Sequence, residues 1–242
     1  MRSWTFLLLF GGLSFAACQR AYLPQSVLYS DIRVTAESQA KPVLDSFLKP
    51  FRDSMARQMD AVLATSQTDL EKKQPEGTLG NVLADAMRVQ STQKMGVQVD
   101  AAFINFGGVR LSMIPAGAIT RGKVYEIMPF DNIVGVQTLT GTQFQAFLDY
   151  VAARGGWPCS GVKFRIKNKQ AVQVEVGGKP LDLLARYQVA NSDYIIQGGD
   201  NCQVLKDIPV QSTGYLLRDA ILDYLQGKTI QAQLENRIQY AQ

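Results

Sequence analysis

The sequence predicts an α+β fold, and three observations carry that prediction. Helical and strand periodicities alternate irregularly, no regular strand-helix-strand unit recurs, and no glycine-rich dinucleotide loop follows a first strand. A doubly wound sheet therefore fits poorly. The 242 residues suit one domain with an N-terminal extension, and 46% apolar residues supply an ample core. Periodicity by itself leaves the order of the strands open.

Residues 1–17 read as an export signal: Arg2 is the positive start, and Phe6 to Ala17 is a short apolar stretch, too brief for a comfortable membrane span. Cys18 directly follows Ala16 and Ala17. This resembles a bacterial lipoprotein cleavage site, with Phe15 standing where leucine is usual, and implies that Cys18 becomes an acylated first residue. The expectation is a protein of the bacterial cell envelope, lipid-anchored at the periplasmic or outer surface of a membrane. Residues 18–29 would be the tether and residues 30–242 the folded domain.

Asp31 to Ala36 alternates, with Ile32 and Val34 on one side, and predicts a short strand. A helix follows, with Pro42 in its first turn. Val43, Leu44, Phe47, Leu48, Phe51, Met55 and Met59 recur at three- and four-residue steps, giving one apolar stripe to about Asp60. Ala61 to Asp69 reads as extended, and Gln74 to Gly77 as a loop. Thr78 suits a helix N-cap, after which Leu79, Val82, Leu83, Ala86 and Met87 form a buried face to about Gln93. Ala101 to Asn105 is a strand, and Thr120 can cap a short helix containing Val124 and Tyr125. Asn132 to Leu139 is a strand, and Thr142 to Ala153 a helix whose Phe144, Phe147, Leu148 and Val151 face inward. Val162 to Ile166, Val172 to Val176 and Tyr187 to Ala190 are further strands, with Gly177-Gly178 as a turn, and Leu216 to Leu225 is a final helix.

The formal charge of +4 is mild and evenly spread, which argues against nucleic-acid binding. Lys72-Lys73 and the Lys163 to Lys169 stretch read as solvated faces. Function concentrates at Ile104-Asn105-Phe106-Gly107-Gly108-Val109-Arg110, where an arginine follows a buried strand and paired glycines. Glycine at both positions lets the backbone turn sharply and approach a ligand, and arginine supplies a fixed fork of donors for phosphate or carboxylate. The structural alternative is a tight turn whose arginine pairs with a nearby carboxylate.

Taken in order, Gly77 to Ala86, the Asn105 to Arg110 segment, Met128-Pro129-Phe130 and Gly198-Gly199-Asp200-Asn201 resemble the C-terminal, substrate-binding domain of bacterial and animal 5'-nucleotidases, over roughly residues 30 to 240. The resemblance implies a mixed sheet with packed helices. It also implies that Arg110 binds substrate phosphate, that Asn105 offers its amide, and that Gly107 and Gly108 form the turn. Phe130 would stack on a nucleobase, and Asn81, Gly161 and Asp207 would lie around the ligand. Two departures stand out. Cys202 occupies the place of the second aromatic slab, and no arginine precedes Asn81 in Gln74-Pro75-Glu76-Gly77. Trp157 could supply the missing ring. Cys159 and Cys202 would border the base pocket, either as a disulfide or as two buried thiols. Arg121, Arg154 and Asp200 need no ligand to explain them.

The sequence contains no histidine, whereas the resembled hydrolases carry their two-metal site on a separate N-terminal domain built from histidines and carboxylates. No nucleophile stands beside a base. The expectation is a nucleotide-binding half of a split phosphoester hydrolase, inactive alone, with no cofactor of its own and with divalent metals only in a separately encoded metallophosphatase. The alternative is a non-catalytic envelope lipoprotein that no longer binds nucleotides. An independent enzyme would need chemistry that these residues do not display.

Overall fold

A computed structural model describes residues 29–31, 42–212 and 214–241. The chain divides into two units, residues 1–47 and 48–242. In the first, the described residues are 29–31 and the opening turns of helix α1 (Pro42–Met59). The signal and Cys18, nearly all of the tether and the strand expected from Ile32 lie outside the described residues.

Helix α1 forms where its periodicity predicts, but its apolar stripe is not buried. Within the second unit Leu48, Phe51 and Met55 are 40%, 60% and 60% exposed. After it come strands β1 (Val62–Ser66) and β2 (Leu70–Glu71) and helix α2 (Thr78–Met95). The five residues predicted for the inner face of α2 are all buried. Thr78 does not cap it. Gly77 takes the cap position, and the Thr78 hydroxyl accepts instead from the Glu71 amide at 2.8 Å, joining the helix start to β2.

Strands β3 (Ala101–Phe103), β4 (Met113–Ile114) and β5 (Gly117–Thr120) lead to helix α3 (Arg121–Ile127), whose N-cap is Thr120 as expected, accepting from the Lys123 amide. Strand β6 (Val134–Thr140) runs into helix α4 (Gly141–Ala152) through a capping box, in which Thr140 and Gln143 satisfy each other's backbone amides. Strands β7 (Cys159–Ser160), β8 (Val162–Lys167), β9 (Gln170–Val176), β10 (Lys179–Pro180) and β11 (Arg186–Ser192) follow. Helix α5 (Asp193–Ile196), β12 (Val210–Gln211), helix α6 (Leu217–Leu225), β13 (Lys228–Ile230) and β14 (Ile238–Tyr240) complete the chain.

The central sheet has the order β12-β6-β11-β3-β7 and mixes parallel and antiparallel pairs, with β11 parallel to β3 and antiparallel to β6. Its alternating side chains feed two cores. Ala102, Val136 and Ala190 join Leu83, Met87 and Ile221 of α2 and α6 on one face. Ala101, Phe103, Leu139 and Val189 join Phe144, Phe147 and Leu148 of α4 on the other. A four-stranded sheet, β10-β9-β8-β14, borders the second core, and a three-stranded sheet, β13-β1-β5, borders the first. The α+β expectation and the mixed sheet with packed helices both hold.

Candidate functional site

After β3 the chain passes through Ile104 and Asn105 into a 3-10 turn, Phe106–Gly108, and then to Arg110. Neither glycine adopts a left-handed φ, so conformational freedom is not what the turn demands of them. Gly108 is a matter of space. A Cβ there would lie 2.6 Å from Asn105 Oδ1, whereas one on Gly107 would come only within 3.9 Å of Asn105 Nδ2. Two further contacts fix the turn. The Arg110 amide donates to the Ile127 carbonyl at 2.9 Å, and Lys72 Nζ donates to the Val109 carbonyl at 2.7 Å while standing 4.1 Å from the Phe106 ring centroid. Lys72 is thus not the solvated lysine its sequence context predicts. Burial, and then the charge of Arg110, lowers its pKa from the ordinary lysine value.

Asn105, Gly107, Gly108 and Arg110 form one part of the wall of a cavity of about 350 Å³. Arg110 is exposed, donates weakly to the Gly107 carbonyl at 3.4 Å, and lies 5.8 Å from the Phe130 ring centroid. Among the described residues no carboxylate forms an ion pair with it, so its fork of donors is available to an anion. Phe130, also in the wall, is 39% exposed. Its loop is held by Arg218 of α6, which is 8% exposed, stacks 4.4 Å from the Tyr125 ring, and donates to the Phe130 carbonyl and the Asp131 carboxylate.

Asn132, Tyr194 and Asp200 complete the lining. Tyr194 is 45% exposed, and its hydroxyl donates to Asp200 Oδ1 at 2.9 Å. Asn105 is buried and donates from Nδ2 to Asp200 Oδ2 at 2.9 Å. Neither Asn132 nor Tyr194 is anticipated by the sequence. Tyr194 belongs to Asn191-Ser192-Asp193-Tyr194, where Ser192 caps α5 and so turns the chain just before the tyrosine. That local pattern is the one signal that could have marked it.

The other residues expected at a ligand lie elsewhere. Trp157 is 3% exposed and packs edge-on to Phe147 and Tyr150, so it is core and not a second slab. Asn81 is buried at the start of α2, donating to Glu76, and Asp207 is exposed away from the cavity lining. Gly161 lines a different hollow beside Arg88 and Arg237. It has a φ of 81°, and a Cβ on it would fall 2.0 Å from the Asp100 carbonyl oxygen. Of the two cysteine alternatives, the structure has the buried thiols. Cys159 Sγ points to the Val162 carbonyl at 3.8 Å, while Cys202 lies beside Tyr150. Burial pushes their pKa values up to about 12 and about 11.

Among the described residues no three Cys, Asp or Glu side chains gather closely enough to hold a metal ion. The donor set at the cavity does not fit a two-metal hydrolytic centre. A guanidinium, a carboxylate and two exposed rings equip it for binding.

The family model described as "5'-nucleotidase, C-terminal domain" matches residues 56–207. The chain belongs to this family. The matched span of this C-terminal domain contains every residue that lines the cavity. A 5'-nucleotidase of Vibrio parahaemolyticus is 30% identical over 200 residues, covering 78% of this chain and 34% of the relative. The crystal structure of a 5'-nucleotidase precursor from Thermus thermophilus superposes with a TM-score of 0.71 at 32% identity, covering 82% of this chain and 42% of that one. The structure of a Haemophilus influenzae NAD nucleotidase shares the fold, with a TM-score of 0.66 at 16% identity, 83% of this chain and 41% of that one being covered. The domain therefore spans about a third of the length of the Vibrio parahaemolyticus relative and of a 5'-nucleotidase of Vibrio cholerae.

Proposed function

We propose that this domain binds a nucleoside phosphate and presents it to a metallophosphoesterase on a separately encoded chain, which holds the divalent metals and performs the hydrolysis. The single observation that carries the binding reading is the convergence of Arg110, Asn105 and Phe130 on one cavity. Arg110 offers a bidentate fork for the phosphate. Phe130 offers a ring face that stacks on any base, worth about 1–3 kcal/mol. Tyr194 supports this reading by bringing a second exposed ring into the wall where Cys202 cannot. The absence of histidine from the sequence is the reason to seek the hydrolytic half outside it. The proposal includes acylation at Cys18, which would hold the domain on a membrane surface of the bacterial envelope.

The test is calorimetric titration of the chain with AMP, UMP and adenosine. The nucleotides should bind more tightly than adenosine. Arg110→Ala should weaken the nucleotides about ten-fold or more and erase their advantage over adenosine, while Phe130→Ala should weaken all three by a similar factor. Absence of heat with every ligand would sink the binding reading and leave a non-catalytic envelope lipoprotein as the better account.

A further inference from the structure

The hollow beside Gly161 has a volume of about 530 Å³ and shares no lining residue with the cavity of Arg110. One part of its wall is a chain of hydrogen bonds that leads from a buried cation to a partly exposed one. Arg237, 5% exposed, donates to Asp85 Oδ1 at 2.9 Å and to Asp85 Oδ2 at 2.7 Å, and also to the Glu235 carboxylate. Ser160, 1% exposed, donates to Asp85 Oδ1 at 2.6 Å and accepts from Arg88 Nε at 2.8 Å. Gly161 leaves room for that arginine, since a Cβ there would come within 3.1 Å of Arg88 Cδ. The relay fixes Arg88 through Nε, and among the described residues neither of its Nη groups has a partner. Asp85 does not neutralise it, because Arg237 already takes both carboxylate oxygens.

The same lining carries an unspent charge of the other sign. Glu175 of β9 is exposed and, among the described residues, forms no ion pair; Lys163 stands opposite it in the strand register but donates to the Glu235 carbonyl at 3.1 Å. Tyr224 of α6 adds a hydroxyl that has no hydrogen-bond partner among the described residues, and burial raises its pKa, so it remains a donor at neutral pH. Arg88, Lys163 and Arg237 meet Asp85, Glu175 and Glu235, so the formal charges of the hollow cancel. A phosphate dianion or a simple cation would break that balance. The planar fork of Arg88 suits a carboxylate and the carboxylate of Glu175 suits an ammonium, so the complement of this wall is a molecule that carries both.

We propose that this hollow is a second binding site, for a small zwitterion such as a free amino acid or a short peptide, with the ligand carboxylate on the Nη fork of Arg88 and its ammonium on Glu175. The Tyr224 hydroxyl supplies a further donor. Ser160 and Asp85 are positioning residues in this scheme, since they aim the guanidinium and do not themselves meet the ligand. The site goes beyond the nucleotide reading and does not depend on it.

The experiment follows the Arg88 Nε–H signal and the Gly177 and Gly178 amides, which line the same hollow, by NMR while the chain is titrated in turn with glycine, diglycine, triglycine, acetate, methylammonium and inorganic phosphate. At least one zwitterionic probe should shift these signals saturably and bind about ten-fold or more tightly than acetate, methylammonium or phosphate. The length that binds best separates a free amino acid from a short peptide. Arg88→Gln and Glu175→Gln should each weaken that probe about ten-fold, read at the two glycine amides. Acetate or phosphate binding as tightly as the zwitterions would reduce the hollow to an anion site and overturn the proposal. Full affinity in Glu175→Gln would overturn it too, by leaving the ammonium without its partner. Glu175 is exposed, so this variant keeps the test open even where Arg88→Gln unsettles the fold. The absence of a saturable shift with every probe would end the proposal.

Discussion

Gly107 and Gly108 look equivalent in the sequence and are not equivalent in space. Alanine at 108 would push its Cβ into Asn105 Oδ1, displacing the side chain that donates to Asp200. Alanine at 107 meets nothing closer than an ordinary contact. Gly108→Ala should therefore cost about 1–3 kcal/mol in urea unfolding and weaken AMP about ten-fold, whereas Gly107→Ala should stay within about 0.5 kcal/mol and bind normally. Equal behaviour of the two variants would refute this account of the pair. The residues that the sequence exposes most clearly are those whose chemistry is local to a motif: Arg110, Asn105 and Phe130 line one cavity. Tyr194 and Asp200 escape it because they reach the cavity wall through contacts that no spacing rule encodes: Asp200 accepts from Asn105, 95 residues away, and Tyr194 donates to Asp200.

At the level of elements, α6 reaches into the site without lining it. Its Arg218 carries the loop of Phe130 from below, through the Phe130 carbonyl and Asp131, while stacking on Tyr125 of α3. Arg218→Ala should lower stability by about 1–3 kcal/mol and weaken AMP several-fold through a looser Phe130, and Arg218→Lys should rescue stability only in part, because an ammonium cannot fork and stack at once. Retained affinity in Arg218→Ala would show that the loop holds itself. The helices themselves were legible, since Leu79, Val82, Leu83, Ala86 and Met87 of α2 and Phe144, Phe147, Leu148 and Val151 of α4, spaced three and four apart, are all buried. The start of α2 was not, because Thr78 is spent on the Glu71 amide and not on its own helix. The stripe on α1 shows the opposite limit. Its period gives a helix correctly, but period alone does not say that the apolar face finds cover.

Over the whole molecule, stability should fall with alkali. The Cys159 and Cys202 thiols have pKa values raised by burial from 9.0 to about 12 and about 11. Below pH 9 the thiols stay protonated in both folded and unfolded chains. Above it the unfolded chain loses those protons and the folded one keeps them, so stability declines as the pH rises from about 9 towards 11 and 12. Thermal melts across that range should show the decline, and a Cys159→Ala, Cys202→Ala double variant should show a shallower one; identical slopes would remove the thiols as its cause. The mixed order of the sheets was beyond reach of the sequence for a related reason of scale. β13 and β14 are three residues each, too short to display a period of two, yet they pair with β1 and β8. That pairing also sets a timetable. β1 cannot gain its parallel neighbour, nor Glu76 and Asp85 their contacts with Arg237, until residues 228–240 have been delivered. A chain whose residues 228–240 are still held in a ribosome or a narrow pore has to wait open at this edge, and the fold latches only once they emerge.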